Sequence, residues 1–531
     1  MSTYSTDHSL DTSHEVITQI QALVPPGSPL PQDPEVLDRL KALTQALIRT
    51  YQEAGRLQAD PFEEVWERPL HLYEAEIGHY LQGKTVVVTG GEGFVGHRLI
   101  QKLHQLGVRR IVSIDNARLS TGATVEPIID ETLNAIFYAA DVRDGETLHS
   151  IFAQESPQVV FHLAAIRIPG LAEKIVHETI TSNIFGTQNI IHLCETFAVE
   201  QCIFSSTGKA SRYWTGEVYA ATKKMNEWLF AHAAQHGRVK YGMVRFTHML
   251  NNSAMCEYID RKVEAVEPIA IHAPERYVVG QNVGEAVHLL LNALVFSQPD
   301  RLRFLLVRNL GWPTESLEVA LYKIRQSGEN IPVYFQGIPV GYEESFFLGQ
   351  VDWDRQMEIN TLVNTLETRA FSEITDSGDM ILSEVVPFDQ SLLLERVEQL
   401  HHLCADPAID PMVLKQSLAD AVYAIALTAF KQAPAKRIVQ VLKWGMNLKN
   451  YERGEFNLAA YLPFIELAVQ SICDRLTMAD VAAGQVSVAE FGRMVVALET
   501  LPSLKSEVCQ LRQCFLPATL GTTVVVDSVV A

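Results

Sequence analysis

The chain is poor in positive charge. Its 43 lysines and arginines stand against 63 aspartates and glutamates, a formal charge of −20, and a surface of that sign repels a phosphate backbone or an anionic lipid layer. Nucleic acid and membrane surfaces are therefore not expected partners, and a phosphorylated ligand would need local dipoles and individual arginines. Cysteine is scarce as well: seven in 531 residues, odd in number and scattered, with no C-x-x-C pair. That usage fits reduced thiols in a cytoplasm better than a disulfide framework. No metal is expected either, since His401-His402 has no further ligands at metal spacing. Met1 to His8 has no basic segment leading into an apolar core, so no signal peptide is read, and no apolar run reaches the ~18 residues of a membrane span. Internal repeats and low-complexity tracts are absent too. A cytoplasmic location is expected.

With 47% hydrophobic residues the chain can build two or three cores. The most informative stretch is Lys84 to Gly96. Thr85 to Val88 reads as a buried parallel strand, and Gly90, Gly93 and Gly96 follow where it must turn into a helix. Gly90 permits the tight turn, Gly93 lets a pyrophosphate reach the backbone, and Gly96 lets helix and strand pack closely. Phe94 and Val95 open a helix whose N-terminus then faces the phosphates. Val95, Leu99, Leu103 and Leu106 continue it, and a second strand, Arg110 to Ile114, delivers Asp115 19 residues beyond Gly96. An acid there meets a ribose 2′-hydroxyl. Asp115 favours NAD, while Arg118 nearby leaves NADP open through a 2′-phosphate.

Residues 1 to about 30 are polar and then proline-rich, and read as a flexible arm. A helix is expected over 34–58, started by Asp33 and Pro34 and packing on the main domain. Residues 1–67 are thus an N-terminal arm and helix. From 84 to about 350 strands alternate with helices, the pattern of a doubly wound Rossmann-type parallel sheet in an α/β protein. Later strands are expected at Ala135–Val142, Gln158–Ala165, Gln201–Ser206 and Val239–Phe246. Asp141 and Val142 end the first of these, where Val142 can pack on adenine, and Ala164 and Ala165 allow close approach of a cofactor. In such a sheet chemistry gathers at the strands' carboxyl ends, just after residues 165 and 206. Residues 378–531 read as an all-α C-terminal domain, with Thr522–Val526 as a possible terminal strand.

The catalytic candidates follow the fifth strand. Thr207 ends it, Lys209 comes two residues on, and Tyr219 and Lys223 stand four apart in a helical stretch, so both project from one face. A lysine there lowers the phenol's pKa and holds the nicotinamide ribose, letting tyrosinate take a hydroxyl proton as hydride leaves the carbon. Thr207 or Ser206 would hydrogen-bond the same oxygen.

Thr89-Gly90-Gly91-Glu92-Gly93-Phe94-Val95-Gly96 resembles the T-G-x-x-G-x-x-G of extended short-chain dehydrogenases/reductases, and Asn183 matches that family's structural asparagine. Within it the chain is most similar to the CapD-like polysaccharide biosynthesis proteins, the UDP-N-acetylglucosamine 4,6-dehydratases and 5-epimerases. Thr207-Gly208-Lys209 resembles their T-D-K, Arg276-Tyr277 their T-R-[YF], and Gly337 to Glu343 their G-L-R-P-G-E-K. The resemblance implies an NAD-binding domain over 68–360 with a small substrate-binding lobe, and a UDP-linked sugar as substrate. It implies oxidation of the sugar at C4, chemistry at C5 and return of the hydride. Tyr219 would act at the 4-hydroxyl and Lys209 would remove the C5 proton. A homodimer is implied as well. Arg167 stands where the family has lysine, and reaches either the substrate or a carboxylate. His248 replaces the family's asparagine, as a donor to the substrate or as a structural histidine. The family aspartate is Gly208 here, which favours epimerisation or redox chemistry over elimination. The glycines of the family's loop after Arg245-Phe246 are all replaced, and its next arginine is Pro339. Two alternatives stay open: a dehydrogenase or reductase of another hydroxyl substrate, with Lys209 idle, or an NAD-binding scaffold acting through the helical domain.

Overall fold

The computed structural model describes residues 8–119, 126–344, 348–350, 360–454 and 456–515. Ten strands form one sheet: β1 (Thr85–Thr89), β2 (Arg110–Asp115), β3 (Ile128–Asp130), β4 (Ala135–Ala139), β5 (Val159–His162), β6 (Gln201–Thr207), β7 (Lys240–Phe246), β8 (Arg303–Val307), β9 (Ser372–Ile374) and β10 (Met380–Glu384). Their order is β9-β10-β8-β7-β6-β5-β1-β2-β4-β3. Every pairing from β4 through β2, β1, β5, β6 and β7 to β8 is parallel. β1 and β5 are buried along their whole length, as strands covered on both faces must be, and this is why they read as unbroken apolar runs. The order reverses between β1 and β5, and in a doubly wound sheet a ligand crevice opens at that point, beyond the carboxyl ends. The α/β class read from the sequence is thus what the chain adopts.

Strand limits differ in detail. The strand expected at Ala135–Val142 stops at Ala139, and the one expected at Gln158–Ala165 stops at His162. Asp141, Val142, Ala164 and Ala165 therefore lie in loops at the strand ends. The short antiparallel β3 was not foreseen.

The stretch read as a flexible arm is a helix, His8–Leu23. Val16, Ile17, Ile20 and Val24 fall on one face of it and are buried with Leu40, Leu43 and Leu47 of the helix Pro34–Glu53. Asp33 caps that second helix, accepting from Glu35 N–H at 2.9 Å. Both helices share a core with Ile269, Ile271, Val333 and Phe335, which lie on a parallel strand pair, Ile269–Ile271 with Val333–Phe335. Tyr51 donates to Glu315 at 2.8 Å, and Arg56 pairs with Glu315 and Glu318. The second helix packs on the main unit as expected. Its partner was missed because four apolar residues among polar ones were outweighed by the prolines that follow.

The chain divides into two compact units interleaved in sequence. One holds residues 1–208, 233–343 and 373–382, and the other 209–232, 344–372 and 383–531. The division cuts across the linear segments 68–360 and 378–531. β9 and β10 were also unforeseen; they extend the main sheet ahead of the helices. In the second unit Gln390–Cys404, Pro411–Gln432, Ala435–Met446 and Leu462–Ile472 are helices. Contrary to the expectation from apolar runs, Pro411–Gln432 is long and apolar enough to cross a membrane; half of its most apolar window is buried inside the chain. Thr522–Val526 lies outside the described residues.

Candidate active site

The turn from β1 into the helix Phe94–Gln105 is a cradle made of backbone. Gly90 has φ +73°, and a Cβ there would lie 2.8 Å from Ala164 N. A Cβ on Gly96 would come 2.2 Å from Gly90 O and 2.7 Å from Gly91 Cα, so helix and turn touch through bare backbone. Gly93 is different: its Cβ would meet only Gly90 O, at 3.1 Å. It caps the helix with no side-chain hydrogen bond, and the first turn carries no acid. Gly90 and Gly96 thus turn and pack as the sequence predicted, while Gly93 leaves the helix N-terminus without a side-chain cap, a setting that suits an anion.

Asp115 ends β2 with both carboxylate oxygens held. Oδ2 accepts from Glu92 N–H at 3.1 Å and Oδ1 from Ala117 N–H at 3.0 Å. Arg118 donates through Nε to Glu92 Oε1 at 3.0 Å and through Nη2 to Phe137 O at 2.7 Å. Beyond β4, Asp141 accepts from Asn116 Nδ2 at 3.0 Å and from Arg143 at 2.8 Å. Burial opposes the Asp141 charge, but the Arg143 hydrogen bonds hold its carboxyl at about 2. Val142 packs a methyl group against Gly186, where a Cβ would lie 2.6 Å from it. Its side chain is 7% exposed.

The end of β5 is organised by a polar relay. Thr89 Oγ1 lies 2.7 Å from His162 Nδ1, His162 Nε2 lies 3.0 Å from Thr187 Oγ1, and that hydroxyl donates to Asn183 O at 2.6 Å. Thr187 must then accept, which assigns the His162 proton to Nε2 and makes His162 a satisfied core histidine. Asn183, in a π-helical turn over Thr181–Phe185, clamps Ile166 through both its N–H and its carbonyl, at 2.8 and 3.1 Å. This fixes the backbone directly before Arg167, which is exposed. The loop 337–343 sits against the same segment: a Cβ on Gly341 would meet Pro169 C at 3.1 Å, and one on Gly170 would meet the Tyr342 ring at 3.4 Å. Tyr342 packs on His272 with ring centroids 5.6 Å apart. Burial, and then the Arg276 charge, push His272 below the usual histidine range. Arg167, Arg276 and the 337–343 loop thus border one region of the first unit.

His248 is less available. Its Nε2 lies 2.7 Å from Ser253 Oγ, which also accepts from Cys256 N–H at 3.1 Å and so caps the helix Ala254–Glu264. Burial lowers the His248 pKa. No residue from 247 to 255 has positive φ, so the replaced glycines leave no backbone strain. The chain uses them to build a short strand pair, His248–Met249 with Gly280–Gln281.

The remaining candidates belong to the second unit, apart from Thr207, which ends β6 half-buried. Lys209 lies in a 3₁₀ turn, Gly208–Ser211, and pairs with Glu217. Glu217 also accepts from Arg212 at 2.8 Å and from Glu344 N–H at 3.1 Å. Arg212 spans to Glu344 Oε2 at 2.8 Å, and Gly216 N–H donates to Glu344 Oε1 at 2.6 Å. Burial pushes the Lys209 ammonium below the usual lysine range, with Glu217 opposing and Arg212 reinforcing. Burial works to raise Glu217, yet Arg212 and Lys209 hold it below the ordinary carboxylate value. Glu344 is raised, by burial first, against Arg212. Arg212, Glu217 and Glu344 were not among the sequence candidates. Glu217 and Arg212 flank Lys209 and Tyr219 closely, but Glu344 carries no local signal. Tyr219 and Lys223 share the helix Val218–His236. Burial drives the Lys223 ammonium down to about 7, with Glu227 opposing. Lys224 donates to Ala210 O and Arg212 O at 3.0 and 2.7 Å, tying the 3₁₀ turn to that helix.

Residues 86–345 match the family model described as "Polysaccharide biosynthesis protein". Among curated relatives the chain is 26% identical over 302 residues to the probable polysaccharide biosynthesis protein EpsC of Bacillus subtilis, covering 55% of this chain and 50% of that one. It is 25% identical over 340 residues to the capsular polysaccharide biosynthesis protein CapD of Staphylococcus aureus, covering 59% and 56%. Over this segment, just under half of the chain, the protein is similar to the CapD-like polysaccharide biosynthesis proteins. It spans about half the length of these two relatives. The chain also resembles the solved structure of Pen from Bacillus thuringiensis, with TM-score 0.48, 19% identity, and 57% and 87% of the two chains covered. A further neighbour is UDP-glucose 4-epimerase from Thermotoga maritima with UDP-glucose, with TM-score 0.42, 21% identity, and 49% and 87% covered.

Within this CapD-like segment the departures cluster on polar contacts. Gly208 puts no carboxylate beside Lys209 in the chain, and the acids that surround Lys209 come from 217 and 344 instead. Pro339 removes an arginine from a loop whose backbone shape survives, Gly337 and Gly341 both keeping positive φ.

Proposed function

We propose that the chain is an NAD-dependent enzyme of the epimerase/dehydratase type, acting on a nucleotide sugar, most simply a UDP-linked one, in the making of a polysaccharide precursor. The reading extends to a homo-oligomer in a reducing cytoplasm. The observation that carries it is Lys209: a largely shielded lysine, its side chain 13% exposed, held against the buried Glu217 two residues after the strand-end Thr207. A plain dehydrogenase needs Thr207, Tyr219 and Lys223 but has no use for a second lysine paired with a buried carboxylate there.

Gly90, Gly93 and Gly96 with the N–H groups of Phe94 and Val95 would hold the pyrophosphate, Asp115 the adenosine ribose, and Ala164 and Ala165 the approach to the reacting ring. Bound NAD supplies a hydride acceptor at the sugar C4. Tyr219 takes the 4-hydroxyl proton, Lys223 holds the nicotinamide ribose and favours the phenolate, and Thr207 hydrogen-bonds the same oxygen. Once C4 is a ketone the C5 hydrogen is acidic, and Lys209 removes it. Burial favours a neutral Lys209, which a base requires. Arg167 and Arg276 would meet the charged part of the substrate. With Gly208 in place of an acid, inversion at C5 is favoured over loss of the 6-hydroxyl.

The test is incubation with UDP-N-acetylglucosamine and related sugars in D₂O, followed by NMR of the sugar protons. Deuterium at C5 that disappears in Lys209→Met supports the reading. Turnover that persists unchanged in Lys209→Met reduces the protein to a simple dehydrogenase. Bound NAD with every sugar unlabelled removes the sugar assignment.

A further inference from the structure

The neighbourhood of Asp115 holds more charge than a ribose contact needs. Three carboxylates, Glu92, Asp115 and Asp141, surround the ends of β2 and β4, with two arginines among them. Each arginine is matched: Arg118 to Glu92 at 3.0 Å and Arg143 to Asp141 at 2.8 Å. Glu92 has two roles at once, since its N–H donates to Asp115 Oδ2 while its carboxylate takes Arg118. The Arg118–Glu92 pair is well shielded, with side chains 15% and 23% exposed. The Arg118 guanidinium also gives Nη2 to Phe137 O.

We propose that Glu92 is a specificity-determining residue: by engaging Arg118 and steadying Asp115, it makes the site select the dinucleotide with a free 2′-hydroxyl over the 2′-phosphorylated one. This rests on the dinucleotide reading of the glycine turn. An arginine recognises a phosphate through a fork of parallel N–H donors. Here Nε and Nη2, one edge of that fork, are directed at a carboxylate and a carbonyl. A 2′-phosphate entering beside Asp115 would face two carboxylates, Glu92 and Asp115, without the Arg118 edge to balance them. Removing the Glu92 charge while keeping its shape and N–H releases that edge and leaves Asp115 supported.

The experiment is calorimetric titration of the full chain with NAD⁺ and NADP⁺, in the wild type, Glu92→Gln, Arg118→Met and the double variant, with thermal melts as a folding control. Wild type is expected to bind NAD⁺ at least ~10-fold tighter than NADP⁺. Glu92→Gln should tighten NADP⁺ by roughly 10-fold, the size of one charge-assisted contact, with NAD⁺ changed by less than about threefold. The double variant should lose that gain. Arg118→Met alone should leave NADP⁺ binding unchanged, because the side chain is already engaged; this variant decides the matter if Glu92→Gln does not fold. An unchanged NADP⁺ to NAD⁺ ratio in Glu92→Gln overturns the role of Glu92 while leaving the dinucleotide site standing. So does a wild type that prefers NADP⁺, or one that loses NADP⁺ in Arg118→Met. A folded wild type that binds neither nucleotide overturns the dinucleotide reading itself.

Discussion

The glycine cradle at 90–96 and the charged cluster around Lys209 are built on opposite plans. The cradle is one contiguous stretch in which backbone touches backbone, Gly96 against Gly90 and Gly91. The cluster joins Lys209, Arg212 and Glu217 to Glu344 through ion-paired side chains, across more than a hundred residues of sequence. At Gly96 the first has no room for an added atom; the second depends on the charges its members share. Local steric constraint suits a ligand that is always the same, whereas a network of buried ion pairs can be retuned for a particular substrate by exchanging single carboxylates.

The sharpest way to break this contrast is at Tyr219, on the helix that follows Glu217. Tyr219→Phe should lower turnover by about 10²–10⁴-fold, the usual worth of a positioned acid–base group, with NAD⁺ binding within roughly twofold. Steady-state rates beside calorimetry check it, and turnover near wild type would remove Tyr219 from the chemistry.

Next come the two glycines that the cradle treats differently. Gly96→Ala forces a methyl group into backbone that has no room to move, and should cost about 1–3 kcal/mol in a urea melt as well as abolishing nucleotide binding. Gly93→Ala meets a single atom at 3.1 Å, so stability should change by less than about 0.5 kcal/mol while nucleotide affinity falls. Equal stability losses would mean the two positions are not distinct in role.

Glu217→Gln probes the cluster. It leaves Lys209 and Arg212 with one carboxylate fewer, and should destabilise by about 1–3 kcal/mol. Because the Glu217 carboxyl is held below its ordinary value, its contribution is complete above about pH 5 and is lost as pH falls through that depressed value; the variant should lack this acid-side loss. The same carboxylate favours the Lys209 ammonium. Without it Lys209 sheds its proton at lower pH, and the acid limb of C5 exchange should move down. A limb that stays put would show that Lys209 does not govern it. The smallest effect is expected at His402, 78% exposed by side chain beside Glu398, which should accept alanine within about 0.5 kcal/mol by thermal melt.

Much of the fold was legible because its signals are local. The buried parallel strands read as apolar runs, the turn declared itself by three glycines, and Asp33 and Pro34 marked a helix start that the structure keeps. The errors were local as well: the first helix, His8–Leu23, was masked by the prolines after it, and β9 and β10 are too short and too polar at the edge to stand out. At the site, Thr207, Lys209, Tyr219 and Lys223 were visible as spacings, while Arg212, Glu217 and Glu344 were not. An unremarkable glutamate in sequence becomes a buried ion-pair partner only when the chain returns to it.

By itself the sequence determined the sheet, its turn, the acid at the end of β2 and the order of the polar residues after β6, because backbone sterics and hydrophobic periodicity act over a few neighbours. Tertiary structure alone decided which charges are shared. It gave Glu92 to Arg118, Glu217 to Lys209 and Arg212, and both ring nitrogens of His162 to threonines, since the cost of burying a charge or a polar atom depends on every group folded around it, wherever in the chain that group began.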